Sequence, residues 1–161
     1  MGNITVEFLN SKQRKIFFQA LTKQYGYTGS TDYVLYKGGQ DKYYVISRGV
    51  ENIPFTEMRV RMAGLYVASW KGDDLRLSMD GAMFFGADCA DCFVEADEEQ
   101  KNAWMKGEDI PGEGHGHCIV TYKTYILGCG SRSNGWVKNF VAKGRRITEP
   151  HETRESRVPP I

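Results

Sequence analysis

Cysteine and histidine residues in the second half of this sequence have a spacing that could hold a metal ion. Cys89 and Cys92 are separated by two residues, and the segment 115–118 (HGHC) follows them. Pairs of thiolate and imidazole ligands of this kind bind Zn²⁺ in a tetrahedral site. His117 and Cys118 are adjacent, however, and adjacent residues of a strand point to opposite faces of the sheet. We therefore predict that the chain binds no stoichiometric zinc, and that its cysteines form no disulfide in a reducing compartment.

A glycine-rich segment at 126–131 (ILGCGS) is a second place where chemistry could occur. A Gly-x-Gly sequence after a strand can open the turn that binds a dinucleotide or a methyl donor. That fold needs a helix and further βα units, and only 31 residues follow Gly130. We therefore predict no cofactor, and interpret Gly128 and Gly130 as strand residues that another part of the chain approaches closely.

The charged residues are distributed unevenly, although the net charge is only +1. Residues 85–114 contain nine acidic and two basic residues, whereas residues 115–148 contain six basic and no acidic residues. A purely basic segment favours a polyanionic partner. On a strand, Trp136, Lys138 and Phe140 share one face, and aromatic rings beside cations favour RNA. The alternative is an exposed edge strand protected from aggregation by lysine.

The segment 104–147 resembles the C-terminal module of the Sun/RsmF-type rRNA 5-methylcytosine methyltransferases. Its motifs are 104–108 (WMKGE), 116–122 (GHCIVTY), 126–130 (ILGCG), 138–139 (KN) and 143–145 (KGR). The resemblance implies a PUA-like fold that binds RNA through Lys138, Asn139, Lys143 and Arg145. The positive charge of the basic segment adds Lys123, Arg132 and Arg146, and its aromatic strand face adds Trp136.

A more distant resemblance, which together with the first covers about residues 40–147, is to ribosome-biogenesis factors that join an N-terminal α/β domain to a PUA domain. It rests on 43–45 (YYV), on the strand–turn–strand pattern of 64–77, and on 127–130 (LGCG). It implies an α+β chain with an α/β N-terminal (pre-PUA) domain over 1–86. A PUA-like mixed β-barrel would follow over 87–147, and a mobile tail over 148–161.

The functional prediction is a non-catalytic RNA-binding protein of rRNA or tRNA maturation, because the methyltransferase catalytic motifs are absent from the sequence. Its partners would be RNA and a separate RNA-modifying enzyme. Two alternatives stay open: a small zinc-dependent RNA- or nucleotide-modifying enzyme, and a protein-interaction adaptor that uses the acidic 85–114 face. The sequence has no long apolar run and no signal-like N-terminus, which predicts a cytoplasmic protein without a membrane partner.

These residues must be positioned by elements that the local patterns predict. Helices are expected over 12–25, 79–85 and 98–106, with Ser11, Ser78 and Asp97 as N-caps. Strands are expected over 33–36, 42–47, 75–77, 89–94, 117–122, 125–131 and 136–141. Residues 59–70 are expected to form one long strand or two short ones. Asn134-Gly135 predicts the turn between the last two strands.

Overall fold

The computed structural model describes residues 6–58, 60 and 62–148. Apart from Thr148, the segment predicted to be a mobile tail lies outside the described residues. Within the described part of the chain, no helix is long and apolar enough to cross a membrane.

The N-terminal part is a five-stranded sheet with one helix packed against it. Its strands lie in the order of the sequence, and all neighbours are antiparallel. They are β1 (Glu7–Phe8), β2 (Val34–Lys37), β3 (Lys42–Ile46), β4 (Leu65–Lys71) and β5 (Asp74–Leu77). The α/β arrangement expected for this part is not confirmed. The turns between β2 and β3 and between β4 and β5 are too short for the crossover that parallel strands require.

The first helix, α1 (Ser11–Tyr25), runs between β1 and β2 and buries Phe17, Phe18, Leu21 and Tyr25 in the core. Its N-cap is Asn10, whose side chain forms a capping box with Gln13, so the prediction of Ser11 as the cap was wrong by one residue. The helix ends where Gly26 adopts a left-handed conformation (φ 63°). Of the segment 59–70, predicted as one long strand or two short ones, residues 65–70 belong to β4, which begins after Gly64 (φ 71°), and residues 59 and 61 lie outside the described residues.

The second helix, α2 (Met79–Phe85), has the predicted bounds and is capped by Ser78, which accepts a hydrogen bond from the Gly81 amide. It packs between β4 of the first sheet and β9 (Tyr125–Ser133) of the second sheet. Gly86 does not end it with a left-handed turn; the chain continues into a short 3₁₀ turn.

The second sheet is mixed, in the order β6-β8-β9-β10-β7. Besides β9, its strands are β6 (Phe93–Glu95), β7 (Ile110–Pro111), β8 (Gly116–Tyr122) and β10 (Trp136–Asn139). Only β6 and β8 are parallel, and their crossover contains α3 (Glu98–Lys106). As predicted, α3 starts with a capping box of Asp97 and Gln100 and ends at Gly107 (φ 94°).

Both faces of the β8–β9 pair are buried, and each face belongs to a different apolar core. Ile119 and Cys129 pack into the first core with α1, and Cys118 and Val120 pack into the second core with α3. As predicted, the adjacent residues His117 and Cys118 of β8 point to opposite faces of the sheet, with Cys118 in the second core. Because β8 and β9 serve both cores, the N- and C-terminal parts share the same central hairpin. The domain boundary between 86 and 87 stays a prediction.

Glycine is needed at positions 128 and 130 of β9 for different structural reasons. A Cβ on Gly130 would lie 2.8 Å from the Lys138 carbonyl oxygen and 2.6 Å from Val137 Cγ1, which is the close approach that the sequence predicted. A Cβ on Gly128 would make only ordinary contacts, the nearest at 3.7 Å, but its φ of +139° is one that other residues rarely adopt.

Candidate nucleic-acid interface

Strand β10 presents one face to the second core and the other to the outside. Val137 is fully buried on the inner face, whereas Trp136 is 54% exposed on the outer face. Lys138 pairs with Ser131, and Ser131 pairs with His117, so that these three residues form a row across the sheet. Residues directly opposite each other in a ladder share a face. The predicted outer face of β10 therefore extends across three strands.

A residue of the first sheet completes this surface. The Arg76 guanidinium, on β5, lies over the Phe140 ring at 4.0 Å from its centroid. The His117 ring lies 6.3 Å from the same Phe140 ring. We call the surface formed by Arg76, His117, Trp136, Lys138 and Phe140 the β10 strip. It combines exposed aromatic surface with two permanent cations, which is the chemistry that stacks bases and binds phosphates.

His117 lies at the inner end of the β10 strip. Its side chain is 11% exposed and stacks on Tyr25, and its Nδ1 has no hydrogen-bond partner among the described residues. Burial lowers the pKa of His117, and the Asp74 carboxylate, 4.0 Å from Nε2, opposes this shift only in part. The imidazole is therefore neutral at pH 7, and it contributes ring surface but no charge to the β10 strip.

This lowered pKa predicts a pH dependence of stability. The unfolded chain takes up a proton at His117 near its ordinary pKa of about 6.5, before the folded chain does. The contribution of His117 to the free energy of unfolding is therefore fully present above about pH 7, and it is lost as the pH drops through 6.5 towards the folded-state pKa. We expect His117→Gln to show a smaller loss of unfolding free energy between pH 7.5 and 5.5 than the wild type, measured by urea denaturation. Equal losses of unfolding free energy in the two proteins would contradict the assignment of this pH dependence to His117. His115→Gln is the matched control.

The basic turn after β10 is fixed by two of its arginines. Arg145 binds Asp80 of α2 with both terminal nitrogens, at 2.7 and 2.8 Å. Arg146 donates through Nε to the Val141 carbonyl (3.2 Å) and lies directly against Gly107. Lys143 of this turn is exposed and has no ion pair within the described residues. Of these three predicted RNA ligands, Lys143 is therefore the one whose charge faces solvent without a partner.

Asn139 has a structural role that the sequence did not reveal. Its side-chain amide donates to the carbonyl oxygens of Trp104 (2.8 Å) and Glu108 (3.0 Å), and its Oδ1 accepts from the Val141 amide (2.7 Å). These bonds attach the end of β10 to the end of α3. Both amide hydrogens are engaged, so Asn139 positions the basic turn rather than offering free donors to a ligand.

The remaining two predicted ligands lie apart from the β10 strip. Lys123 is in the β8–β9 turn, with Nζ 5.0 Å from the Tyr122 ring centroid. This turn is at the opposite end of the hairpin from the Gly116–Arg132 pair. Arg132 is paired with Val137, on the face opposite Lys138, and donates to the His115 carbonyl (3.1 Å). The structure thus brings Trp136 and Lys138 together but not Lys123 or Arg132.

The cysteines offer neither a nucleophile nor a formed metal site. All four are buried free thiols. Burial raises the pKa of Cys89 and Cys129 to about 12 and that of Cys92 and Cys118 to about 11. They are therefore protonated at neutral pH, and the thiolate is the reactive and metal-binding form. In the described ranges, no three His, Cys, Asp or Glu side chains are grouped to hold a metal ion.

The comparison with known families gives a match to the C-terminal part of the chain. Residues 93–147, which span β6 to the basic turn, match the family model of the methyltransferase RsmF PUA domain. This segment is a PUA-like module. The expected resemblance to the RsmF-type PUA domain is confirmed, and the comparisons show no catalytic domain beside it.

A solved structure extends the PUA-like fold beyond the matched segment. The crystal structure of a PUA domain from Aeropyrum pernix K1, determined as a tartrate complex, superposes with a TM-score of 0.58. The match covers 88% of each chain at 15% identity, so it shows a common fold. The chain therefore has a PUA-like fold, in which the mixed second sheet forms a half-barrel. No curated protein sequence matches the chain.

Proposed function

We propose that this protein binds structured RNA through the β10 strip and Lys143, without catalysing a reaction itself. The observation that carries the proposal is the Arg76 guanidinium of the first sheet over the ring of Phe140, which follows β10 two residues after the outward-facing Lys138. Trp136 offers an exposed ring on which a base can stack, and Lys138 and Lys143 offer ammonium groups to phosphates. Membership of the PUA-like fold supports the same partner, because PUA domains are generally RNA-binding.

The cellular context of this binding is part of the proposal. The matched family model describes the PUA domain of a methyltransferase, and we infer that the RNA is an rRNA or a tRNA during maturation in the cytoplasm. A separate RNA-modifying enzyme would then supply the chemistry. Lys123 and Arg132 remain predicted contacts outside the β10 strip, on other parts of the β8–β9 hairpin. Asn139, Arg145 and Arg146 support binding by holding the basic turn in place.

Replacing Lys138 and Lys143 together with glutamine tests the surface without disturbing the fold, because both side chains are exposed. A phosphate contact contributes about 0.7–0.9 to the slope of log affinity against log salt concentration. We expect the double variant to bind an rRNA or tRNA fragment more weakly and to lower that slope by about 1.5, measured by fluorescence anisotropy at several salt concentrations.

Trp136→Ala is the complementary variant, because it removes a stacking ring and no charge. Stacking of a base is worth about 1–3 kcal/mol, so affinity should fall about tenfold while the salt slope is unchanged. Lys42→Gln with Lys101→Gln, on β3 and α3, provides the charge-matched control. Wild-type affinity and slope in both the Lys138/Lys143 and the Trp136 variants would show that RNA does not bind at the β10 strip.

A further inference from the structure

Helix α1 carries positive charge along its exposed side. Between Ser11 and Tyr25 it has four basic residues and no acidic residue. Lys12, Lys15 and Lys23, with Gln19 between the last two, are spaced three or four residues apart and therefore lie on one side of the helix. At 1.5 Å per residue, this row extends over roughly 16 Å. We call it the α1 basic row.

A groove runs beside the α1 basic row. Its volume is about 490 Å³, and it lies between the helix and Thr31 of the following loop. Phe18, 5% exposed, forms part of its floor. The other lining side chains are all basic or neutral polar: Ser11, Arg14, Lys15, Gln19, Thr22, Lys23 and Thr31. A groove with cations, hydroxyl groups and an amide, but without an acid, is complementary to a phosphate backbone.

Among the described residues, no ion pair neutralises the lysines of the α1 basic row. Within the described residues, Lys12, Lys15 and Lys23 form no ion pair. Arg14 donates one hydrogen bond to the Tyr33 carbonyl (3.3 Å), which holds its guanidinium at the wall of the groove. Asp32, which directly follows Thr31 of the groove, is paired with Arg48.

The end of α1 meets the β10 strip. The Tyr25 ring stacks on His117 with centroids 6.3 Å apart, and Gln24 accepts a hydrogen bond from the Leu75 amide (2.7 Å), next to Arg76. The C-terminal end of α1 therefore packs against the His117 end of the β10 strip, and the α1 basic row lies on the exposed side of the same helix. A lipid surface is a poorer fit, because the apolar face of α1 (Phe17, Phe18, Leu21, Tyr25) is buried in the core and cannot enter a bilayer.

We propose that the α1 basic row is a second RNA-contacting surface, which binds the sugar–phosphate backbone of an RNA whose other part lies on the β10 strip. This inference rests on the proposed function. Lys15, Lys23 and Arg14 contact phosphates along the groove, and Lys12 extends the contact towards the start of the helix. The N-terminal part of the chain thereby enlarges the RNA footprint of the PUA-like module.

The test is the triple variant Lys12→Gln, Lys15→Gln and Lys23→Gln, with an RNA hairpin of about 20 nucleotides as the probe. Three lost phosphate contacts should lower the salt slope by about 2 and reduce affinity at low salt at least tenfold. The variant with arginine at the same three positions should keep the wild-type slope. Lys42→Gln, Lys71→Gln and Lys101→Gln, which change the net charge equally elsewhere, should also keep it. Thermal unfolding of each variant verifies that the fold is retained.

The outcomes separate this inference from the proposed function. If the wild type binds the hairpin and loses affinity in the Lys138/Lys143 variant, but the α1 variant keeps the full slope, only the second surface is refuted. Equal loss in the α1 variant and in the charge-matched control would likewise refute it. Wild-type protein that shows no salt-dependent RNA binding would overturn both. Loss of binding to phosphatidylserine vesicles in the α1 variant, with RNA binding intact, would reassign the row to lipid.

Discussion

Replacing Gly81 with alanine should destabilise the protein by about 3 kcal/mol, because α2 contacts β4 through the Cα of this glycine. A Cβ at this position would lie 1.8 Å from the Val67 carbonyl oxygen and 2.7 Å from its carbonyl carbon. Both atoms are backbone, and the same oxygen accepts a hydrogen bond from the Ser78 amide (2.9 Å), so it cannot move without breaking the bond that holds this N-cap residue to β4. The clash should outweigh the roughly 1 kcal/mol by which alanine favours a helix over glycine.

Urea denaturation followed by circular dichroism measures this effect. Gly144→Ala is the matched control, since a Cβ there would meet nothing within 4 Å and φ is not positive. We expect that control to change the unfolding free energy by less than about 0.5 kcal/mol. A Gly81→Ala protein as stable as the control would mean that α2 does not lie against β4 as described. Because α2 also contacts β9, the substitution should weaken the connection between the two sheets.

Trp104→Ala should cost about 3–5 kcal/mol, the range for removing a large buried aromatic side chain. Trp104 is fully buried in the second core, and its indole N–H donates to the Leu127 carbonyl (3.4 Å). Its ring also lies directly over Gly130, where a Cβ would come 2.8 Å from Cη2. The strand below it has a glycine at this point, so no side chain from position 130 can fill the space. The cavity should therefore persist in the variant.

The variant Trp104→Phe separates the contribution of the ring volume to stability from that of the indole hydrogen bond. It retains most of the apolar contact and loses the indole N–H, so we expect roughly 1–2 kcal/mol of destabilisation. Both variants are measured by urea denaturation, with binding of the RNA hairpin as a second readout. If Trp104→Ala and Trp104→Phe have equal stability, ring volume is not what the second core requires. The RNA affinity of folded Trp104→Phe should stay near that of the wild type, since Trp104 does not reach the β10 strip.

Several parts of the fold could be predicted because their determinants lie within a few residues of one another. In the caps of α2 and α3, the side-chain oxygens of Ser78 and Asp97 accept hydrogen bonds from the amides three residues later. The β9–β10 turn needs positive φ at Asn134 (54°) and Gly135 (78°), the two residue types that tolerate it best. The basic face of β10 follows from alternation along a single strand.

The local elements, the PUA-like character of the C-terminal part and the polarity of its last strand could therefore be predicted from the amino-acid sequence. The contact of Arg76 with Phe140, the hydrogen bond from the Asn139 amide to α3 and the pairing of Arg145 with Asp80 could not. These contacts join residues that are far apart in the sequence. A side chain's partner across two sheets depends on how β8 and β9 pack between both cores, and neither the alternation of a strand nor the spacing of charges carries that information.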